Sequence, residues 1–476
     1  MKIVFAASEA APYCKTGGLG DVAEALPKEL ARVGTNSVTL FLPFFKNVKY
    51  NPEIKTKFVK SFFVDLSWRR QHVGLFKAEN TDNNLSVYFI DNEYYFGRDG
   101  IYGYPDDGER FAYFSKAILE SLLELKIVPD IIHCNDWQTG LVPIFLHSFY
   151  QKKLGRAKVV FTIHNIEYQG KCDPYFLGDT LGLSEAYENT MMFNGCVNFL
   201  KGAILSSDAI TTVSNTYAQE LCYPYFAHGL SDIISAHAFK THGIVNGINQ
   251  EINDPNTDKY LFANYNLVNF ATGKAKNKQE LQKRLGLDVR PDVPVIGMVT
   301  RLVSHKGLDL ICSVLYELMN WDIQLVVLGT GDKRYEECLK YCSERYHNKF
   351  SMNLKFDPAL ASMIYASSDL YLMPSKSEPC GLSQLIAMRY GTVPIVNATG
   401  GLKDTVEPFN PESKTGTGFN FQSYNADDML GAIRRALSIY GGDKSAFKTI
   451  IKNAMSRDSS WAVPAQEYLK LYKSLK

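Results

Sequence analysis

Ile3-Val4-Phe5-Ala6-Ala7 is followed by Lys15-Thr16-Gly17-Gly18-Leu19-Gly20-Asp21-Val22-Ala23, an apolar run and then a glycine-rich turn that opens a helix. The phrase Thr-Gly-Gly-Leu recurs as Thr399-Gly400-Gly401-Leu402, again after an apolar run, Thr392 to Val396, and again with an Asp close behind, Asp404 where the first copy has Asp21. Glycine pairs at the C-terminal end of a parallel strand let backbone N–H groups approach an anion, since no Cβ intervenes and the next helix presents its positive N-terminus. Two such loops far apart in sequence point to two α/β domains sharing one phosphate-bearing ligand. The alternative is a chance match between two ordinary strand-to-helix turns.

Outward from these loops, short apolar runs alternate with helix-length spacers. In the first half Ile3–Ala7, Ser37–Leu42, Ser86–Ile90, Ile131–His133, Val159–Ile163 and Ala209–Val213 read as buried strands. A polar, aperiodic stretch, Asn253 to Asp258, precedes a basic helical segment, Lys274 to Leu285, and a second series of strands at Val295–Val299, Gln324–Leu328, Leu370–Met373 and Val393–Val396. The pattern predicts an α/β protein of two doubly wound domains with a cleft between them, ligands binding outside the strand C-termini. Ser460 to Leu475 closes the chain as a helix with apolar residues at Trp461, Tyr468, Leu469, Leu471, Tyr472 and Leu475, most of them on one face, Pro464 being tolerable only in its first turn.

Bulk properties agree with a large intracellular protein. The 476 residues suggest roughly 2 to 4 domains, and a net charge of +1 argues against electrostatic binding to nucleic acid or membrane. Nine cysteines are scattered without a CxxC pair, and His347 near Cys338 and Cys342 does not complete a metal set, so reduced thiols and no metal site are expected. The start, Met1-Lys2-Ile3-Val4-Phe5, carries no secretory or organelle signal, and no apolar run reaches membrane-spanning length. A cytoplasmic location is the expectation.

Gly18-Leu19-Gly20-Asp21-Val22-Ala23 matches G-x-G-x-x-A, the dinucleotide fingerprint. A dinucleotide site also wants an acid after the second strand, and Ser37–Leu42 runs instead into Pro43-Phe44-Phe45-Lys46. NAD is therefore disfavoured, and the absence of G-x-x-x-x-G-K-[ST] disfavours a P-loop. Lys15 places a cation where a diphosphate could lie. Arg301 and Lys306, in Arg301-Leu302-Val303-Ser304-His305-Lys306-Gly307, leave the end of a strand as two fixed cations able to neutralise a departing diphosphate. Glu378-Pro379-Cys380-Gly381-Leu382-Ser383 opens a helix in the same way, with N–H donors from Leu382 and Ser383. Taken singly, each cation reads as a surface charge and Glu378 as a helix-start carboxylate; their joint placement at strand ends favours a site.

Lys15 to Val22, His133 to Trp137, Phe161-Thr162-Ile163-His164-Asn165, Val245-Asn246-Gly247-Ile248, Arg301 to Gly307, Glu378 to Leu382 and Thr399 to Val406 together resemble the bacterial glycogen synthase and plant starch synthase family, in order over nearly the whole chain. The resemblance implies a GT-B glycosyltransferase: two Rossmann-like, doubly wound domains facing a deep interdomain cleft. An N-terminal, acceptor-side domain would span 1–245 and a nucleotide-sugar-binding domain 246–457, with the helix at 458–476 crossing back onto the first. It further implies retaining transfer of glucose from ADP-glucose, a donor substrate rather than a cofactor, to the non-reducing end of an α-1,4-glucan such as glycogen or starch. By motif match, Lys15 and the Gly18 backbone contact the donor, Arg301 and Lys306 hold its diphosphate, His164 and Asn246 contact the glucose, and Glu378 holds sugar hydroxyls near the reacting carbon. Phe356 falls where the family tends to set an aromatic ring against adenine, although a core phenylalanine is the other reading. Asp136 would position donor or acceptor.

The chain departs from the family pattern in places. Ile386 stands where broader relatives carry a second Glu, Asn249 replaces an Asp, and Asn253 replaces a nearby Trp. Cations and helix N-termini suffice to stabilise the charge separation as the glucosyl–phosphate bond breaks, without a metal. Three other functions compete: a nicotinamide oxidoreductase, which lacks the ribose acid; a non-catalytic glucan binder using some of the 28 Phe, 28 Tyr and 4 Trp residues as stacking platforms; and a sugar-nucleotide epimerase, which would need no glucan.

Overall fold

The computed structural model describes residues 1–79 and 81–476, and these divide into two compact units, Met1–Asn246 with Trp461–Lys476, and Gly247–Ser460. In the first, β1 (Lys2–Ala6), β2 (Ser37–Pro43), β3 (Thr56–Leu66), β4 (Arg69–Ala78), β5 (Leu85–Asp91), β6 (Ile131–Asn135) and β7 (Lys158–Ile163) precede a small sheet of β8 (Lys171–Cys172), β9 (Met192–Phe193) and β10 (Cys196–Asn198), and then β11 (Ala209–Thr212) and β12 (Thr241–Gly243). The main sheet has the order β12-β11-β7-β6-β1-β2-β5-β4-β3. Its centre is parallel, β1 pairing with β2 on one side and β6 on the other, while β4 runs antiparallel to both β5 and β3.

The alternation of apolar runs and helices gives this parallel centre, because strands covered on both faces are apolar throughout. β1 is buried from Ile3 to Ala6, and β6 and β7 are buried along almost their whole length. It does not give β3 and β4. Those strands form one rim of the sheet, β3 is mostly exposed, and Lys57, Lys60 and Ser61 break up its apolar residues, as suits an edge that must stay soluble.

The helix Gly18–Arg32 follows β1 and buries Leu19, Val22, Ala23, Leu26 and Leu30, the three- and four-residue spacing of one helical face. The last helix, Ala462–Leu475, packs against it in the first unit, with Pro464 in the first turn. Tyr468, Leu469, Leu471 and Tyr472 are buried there, and Leu475 is half-buried. The Tyr472 hydroxyl lies 2.6 Å from His133 Nδ1 and Thr162 Oγ1 lies 2.5 Å from Nε2, so the chain end is tied to the floor of the sheet.

The second unit holds β13 (Val295–Val299), β14 (Gln324–Leu328), β15 (Phe350–Asn353), β16 (Leu370–Met373), β17 (Val393–Asn397) and β18 (Phe419–Phe421), all parallel, in the order β15-β14-β13-β16-β17-β18. The four central strands are those read from the sequence. The two outer strands, β15 and β18, were not, since Ser351 and Asn353 in the one and Asn420 in the other break the apolar run that marks Leu370–Met373.

Candidate active site

In the first unit β1 runs into Ser8 and Glu9, and the chain loops back through Lys15 to the helix that starts at Gly18. Thr16 donates both its backbone N–H and its hydroxyl to Glu9 Oε2, each at 2.7 Å, and Glu9 is 2% exposed. Lys15 Nζ is 2.7 Å from Asp21 Oδ1 on the half-open surface of the loop. Gly17 caps the helix without a side-chain bond, and Gly18 is exposed at its first position.

The ends of β6 and β7 supply the next groups. Asn135 donates its amide to the Ala6 carbonyl at 3.0 Å, which fixes its orientation and leaves Oδ1 to face His164 Nε2 at 2.9 Å. His164 therefore carries its proton on Nε2 and leaves Nδ1 as an acceptor. Burial pushes its pKa down to about 3, so the ring is neutral at working pH. The His164 backbone N–H in turn donates to Asp136 Oδ1 at 2.8 Å. Burial pushes the Asp136 carboxyl up to about 7, against the hydrogen bonds from the His164 and Asn165 backbone. Asp136 sits at φ 56°, ψ 177°, a region that residues with a Cβ rarely occupy and that is found at functional sites where the surroundings hold it. Asn246, where the first segment of this unit ends, is 7% exposed, and its side-chain oxygen has no hydrogen-bond partner among the described residues.

In the second unit the turn Ser304–Lys306 leaves β13, and the Glu378 loop leaves β16. Lys306 Nζ donates to Glu378 Oε2 at 2.6 Å, and Ser375 Oγ donates to the same oxygen at 3.0 Å. Both partners of this pair are largely buried, their side chains 17% and 9% exposed. Asn397 steadies Ser375 by donating to its carbonyl at 2.9 Å. Arg301 is exposed; its backbone carbonyl accepts from the Val303 N–H at 3.0 Å, and its guanidinium has no hydrogen-bond or ion-pair partner among the described residues.

The second Thr-Gly-Gly-Leu copy proves to be a support for this loop. Gly401 donates its N–H to the carbonyls of Glu378 and Pro379 at 3.0 and 3.1 Å, so that donor is spent inside the protein. A Cβ on Gly400 would lie 2.1 Å from the Glu378 carbonyl oxygen, and one on Gly401 would lie 2.1 Å from that of Cys380. These glycines exist so that two backbones can touch.

Leu382 and Ser383 are half-buried at the start of the short helix Ser383–Arg389, with Gln384 donating back to the Cys380 and Gly381 carbonyls at 3.0 and 2.9 Å. Phe356 is 91% exposed, which removes the core reading of that ring. It precedes Asp357, the N-cap of the helix Pro358–Ser367. Ile386 packs on the apolar core, and Asn253 donates its backbone and side-chain N–H groups to the Asn249 carbonyl at 3.0 and 2.9 Å, so two of the unusual residues close one local turn. Glu9, Asn135 and Ser375 were not singled out from the sequence. A carboxylate in the small-residue run Ala6-Ala7-Ser8-Glu9-Ala10-Ala11 was the available signal for the first.

Residues 2–236 match the starch synthase catalytic domain family, and residues 277–455 match the glycosyl transferases group 1 family. The glycogen synthase of Clostridium acetobutylicum is 48% identical over 480 residues, covering all of both chains, and that of Alkaliphilus metalliredigens is 47% identical over 479 residues, also covering both. Among solved structures, the catalytic domain of starch synthase IV from Arabidopsis thaliana, bound to ADP and acarbose, is 36% identical, covers 99% of each chain and superposes with a TM-score of 0.91. Sucrose-phosphate synthase from Thermosynechococcus elongatus, 17% identical over 100% of this chain and 98% of its own, shares the fold at a TM-score of 0.62.

Proposed function

Since the chain belongs to the glycogen synthase and starch synthase family of GT-B glycosyltransferases, we propose that it transfers glucose from ADP-glucose to the non-reducing end of an α-1,4-glucan with retention of configuration, elongating glycogen or starch. The observation that carries this reading is the Lys306–Glu378–Ser375 cluster, a fixed cation and a fixed carboxylate at neighbouring strand ends. Lys306 has three N–H donors and gives one to Glu378, which leaves two for a diphosphate oxygen. Arg301 adds a second cation whose fork suits a phosphate. Glu378 uses Oε2 for Lys306 and Ser375, so Oε1 is the oxygen that would hold a sugar hydroxyl.

The remaining roles follow from chemistry and local geometry. Lys15 and the Gly18 N–H, at the positive end of a 15-residue helix, would contact the donor. Neutral His164 would accept a hydrogen bond from a glucose hydroxyl at Nδ1, and the unpartnered Asn246 oxygen would accept another. Phe356 offers an open ring face to adenine, and the Leu382 and Ser383 N–H groups would support the phosphates. Asp136, poised about pH 7, can either accept or donate a hydrogen bond to donor or acceptor. As the glucosyl–phosphate bond breaks, positive charge grows on the ring and negative charge on ADP, and preplaced cations lower that barrier. The cytoplasm is the proposed compartment.

The test is release of ADP from ADP-glucose with glycogen as acceptor, beside UDP-glucose under the same conditions. Glycogen-dependent ADP release that falls sharply in Glu378→Ala is expected. Binding of glycogen without any nucleotide release would replace this reading with a glucan-binding one.

A further inference from the structure

We propose that Glu9 is a positioning residue for donor binding: its buried carboxylate sets the shape of the Lys15–Gly20 loop and thereby the place from which Lys15 and the Gly18 N–H act. The inference rests on the reading that this loop contacts the donor. A carboxylate 2% exposed is unfavourable unless its oxygens are hydrogen-bonded, and the donors facing it come from the loop itself. Thr16 gives Oε2 both its N–H and its hydroxyl, at 2.7 Å each, and the Gly17 and Gly20 N–H groups also face the carboxylate. Burial raises the pKa of Glu9, and these bonds oppose that rise by favouring the ion.

Lys15 sits between two anchored neighbours. On one side Cys14 donates its N–H to the Ala10 carbonyl at 3.0 Å; on the other Thr16 is held by Glu9. The backbone of Gly20 closes on the Lys15 stem so tightly that a Cβ there would lie 2.8 Å from Lys15 Cγ. Beneath the loop, the Ser8 hydroxyl is 2.7 Å from the Tyr102 hydroxyl, which fixes the residue next to Glu9 to a second segment. Removing the carboxylate frees exposed Thr16 and Gly17 to turn toward water, while Gly20 stays held in the helix, and the Lys15 stem loses its fixed origin while Lys15 itself remains.

The experiment measures kcat and the KM for ADP-glucose and for glycogen in Glu9→Ala, Glu9→Gln, Thr16→Val and Lys15→Gln. Hydrogen bonds to a charged group that orders a binding loop predict about a tenfold rise in donor KM for Glu9→Ala, with kcat and glycogen KM changed by less than about twofold. Thr16→Val, losing one of the two Thr16 bonds, should raise donor KM by about threefold. Glu9→Gln should fall between, since one amide oxygen can still take Thr16 while the amide N–H₂ confronts Gly17 and Gly20. A merely structural role would lower the active fraction and leave both KM values alone. Wild-type donor KM in folded Glu9→Ala, while Lys15→Gln raises it, overturns the inference and leaves the loop's reading intact. Unchanged donor KM in Lys15→Gln as well overturns both. Should Glu9→Ala fail to fold, Thr16→Val and Glu9→Gln decide alone, and unchanged donor KM in both is the refuting result.

Discussion

Consider Gly400→Ala beside Gly17→Ala, the same substitution at matching positions of the two Thr-Gly-Gly-Leu loops. At Gly400 the backbone has φ 44°, in the left-handed region, and the new Cβ would sit 2.1 Å from the Glu378 carbonyl oxygen and 2.9 Å from its carbon. Carbon and oxygen normally keep about 3.3 Å apart, so the Glu378 backbone must retreat by roughly 1 Å. The left-handed conformation costs an alanine about 1–2 kcal/mol, and overpacking adds about 1–3 kcal/mol. A 1 Å misplacement of a positioning group lowers turnover about 100-fold. At Gly17 φ is −150°, an extended backbone open to any residue, and the nearest atom to a Cβ is Glu9 Oε1 at 3.7 Å, ordinary contact. That change should cost about 1 kcal/mol or less, the penalty of alanine at an N-cap. Steady-state ADP release at saturating ADP-glucose and glycogen, with urea unfolding of each variant, reads both quantities. A folded Gly400→Ala enzyme whose kcat stays within about threefold of the parent would refute the argument that this glycine holds Glu378 in place.

Other outcomes can be stated briefly. Lys306→Ala leaves the buried Glu378 carboxylate without its cation and should destabilise the second unit by about 3 kcal/mol, visible as a lower urea midpoint; an unchanged midpoint would mean that water enters and solvates Glu378. His133 and His164 both have pKa values pushed down to about 3 by burial, so between pH 6.5 and 3 the unfolded chain binds more protons and stability falls on acidification. Asp136, raised to about 7, acts in the opposite sense between pH 7 and 3.8, so the net acid slope should become shallower in His133→Gln; a slope equal to the parent's would show that His133 is not its source. Phe356→Ala should raise the ADP-glucose KM by roughly tenfold at most, as loss of one stacking face does, and have little effect on melting since the ring is exposed. Because Arg301 and Lys306 carry the leaving-group charge in the proposed reaction, activity should persist in EDTA; full loss reversed by a divalent cation would contradict that assignment.

The parallel centres of both sheets were legible in the sequence because buried strands must be apolar along their length. Ile3 to Ala6, Val159 to Ile163 and Leu370 to Met373 stand out for that reason alone. β3 hides because an edge strand answers to solvent as well as to its neighbour, and β15 and β18 because polar residues, Ser351, Asn353 and Asn420, interrupt their apolar ones. The charged motif residues could be named from the sequence, but their partners could not. Nothing in the spacing from Lys306 to Glu378 announces a 2.6 Å ion pair, and nothing in Ser375 marks it as the second donor to that oxygen.

The repeated Thr-Gly-Gly-Leu shows where the division lies. Sequence alone determined that each copy sits at a strand-to-helix turn, since composition and apolar periodicity are local properties. Tertiary structure decided what each turn does. In the first copy the loop folds over the Glu9 carboxylate and leaves Lys15 and Gly18 at the surface; in the second, Gly401 donates its N–H to the Glu378 and Pro379 carbonyls and the glycines admit that backbone. Identical letters took different tasks because hydrogen-bond partners and close approaches come from residues distant in the chain, and only the packed fold brings them within reach.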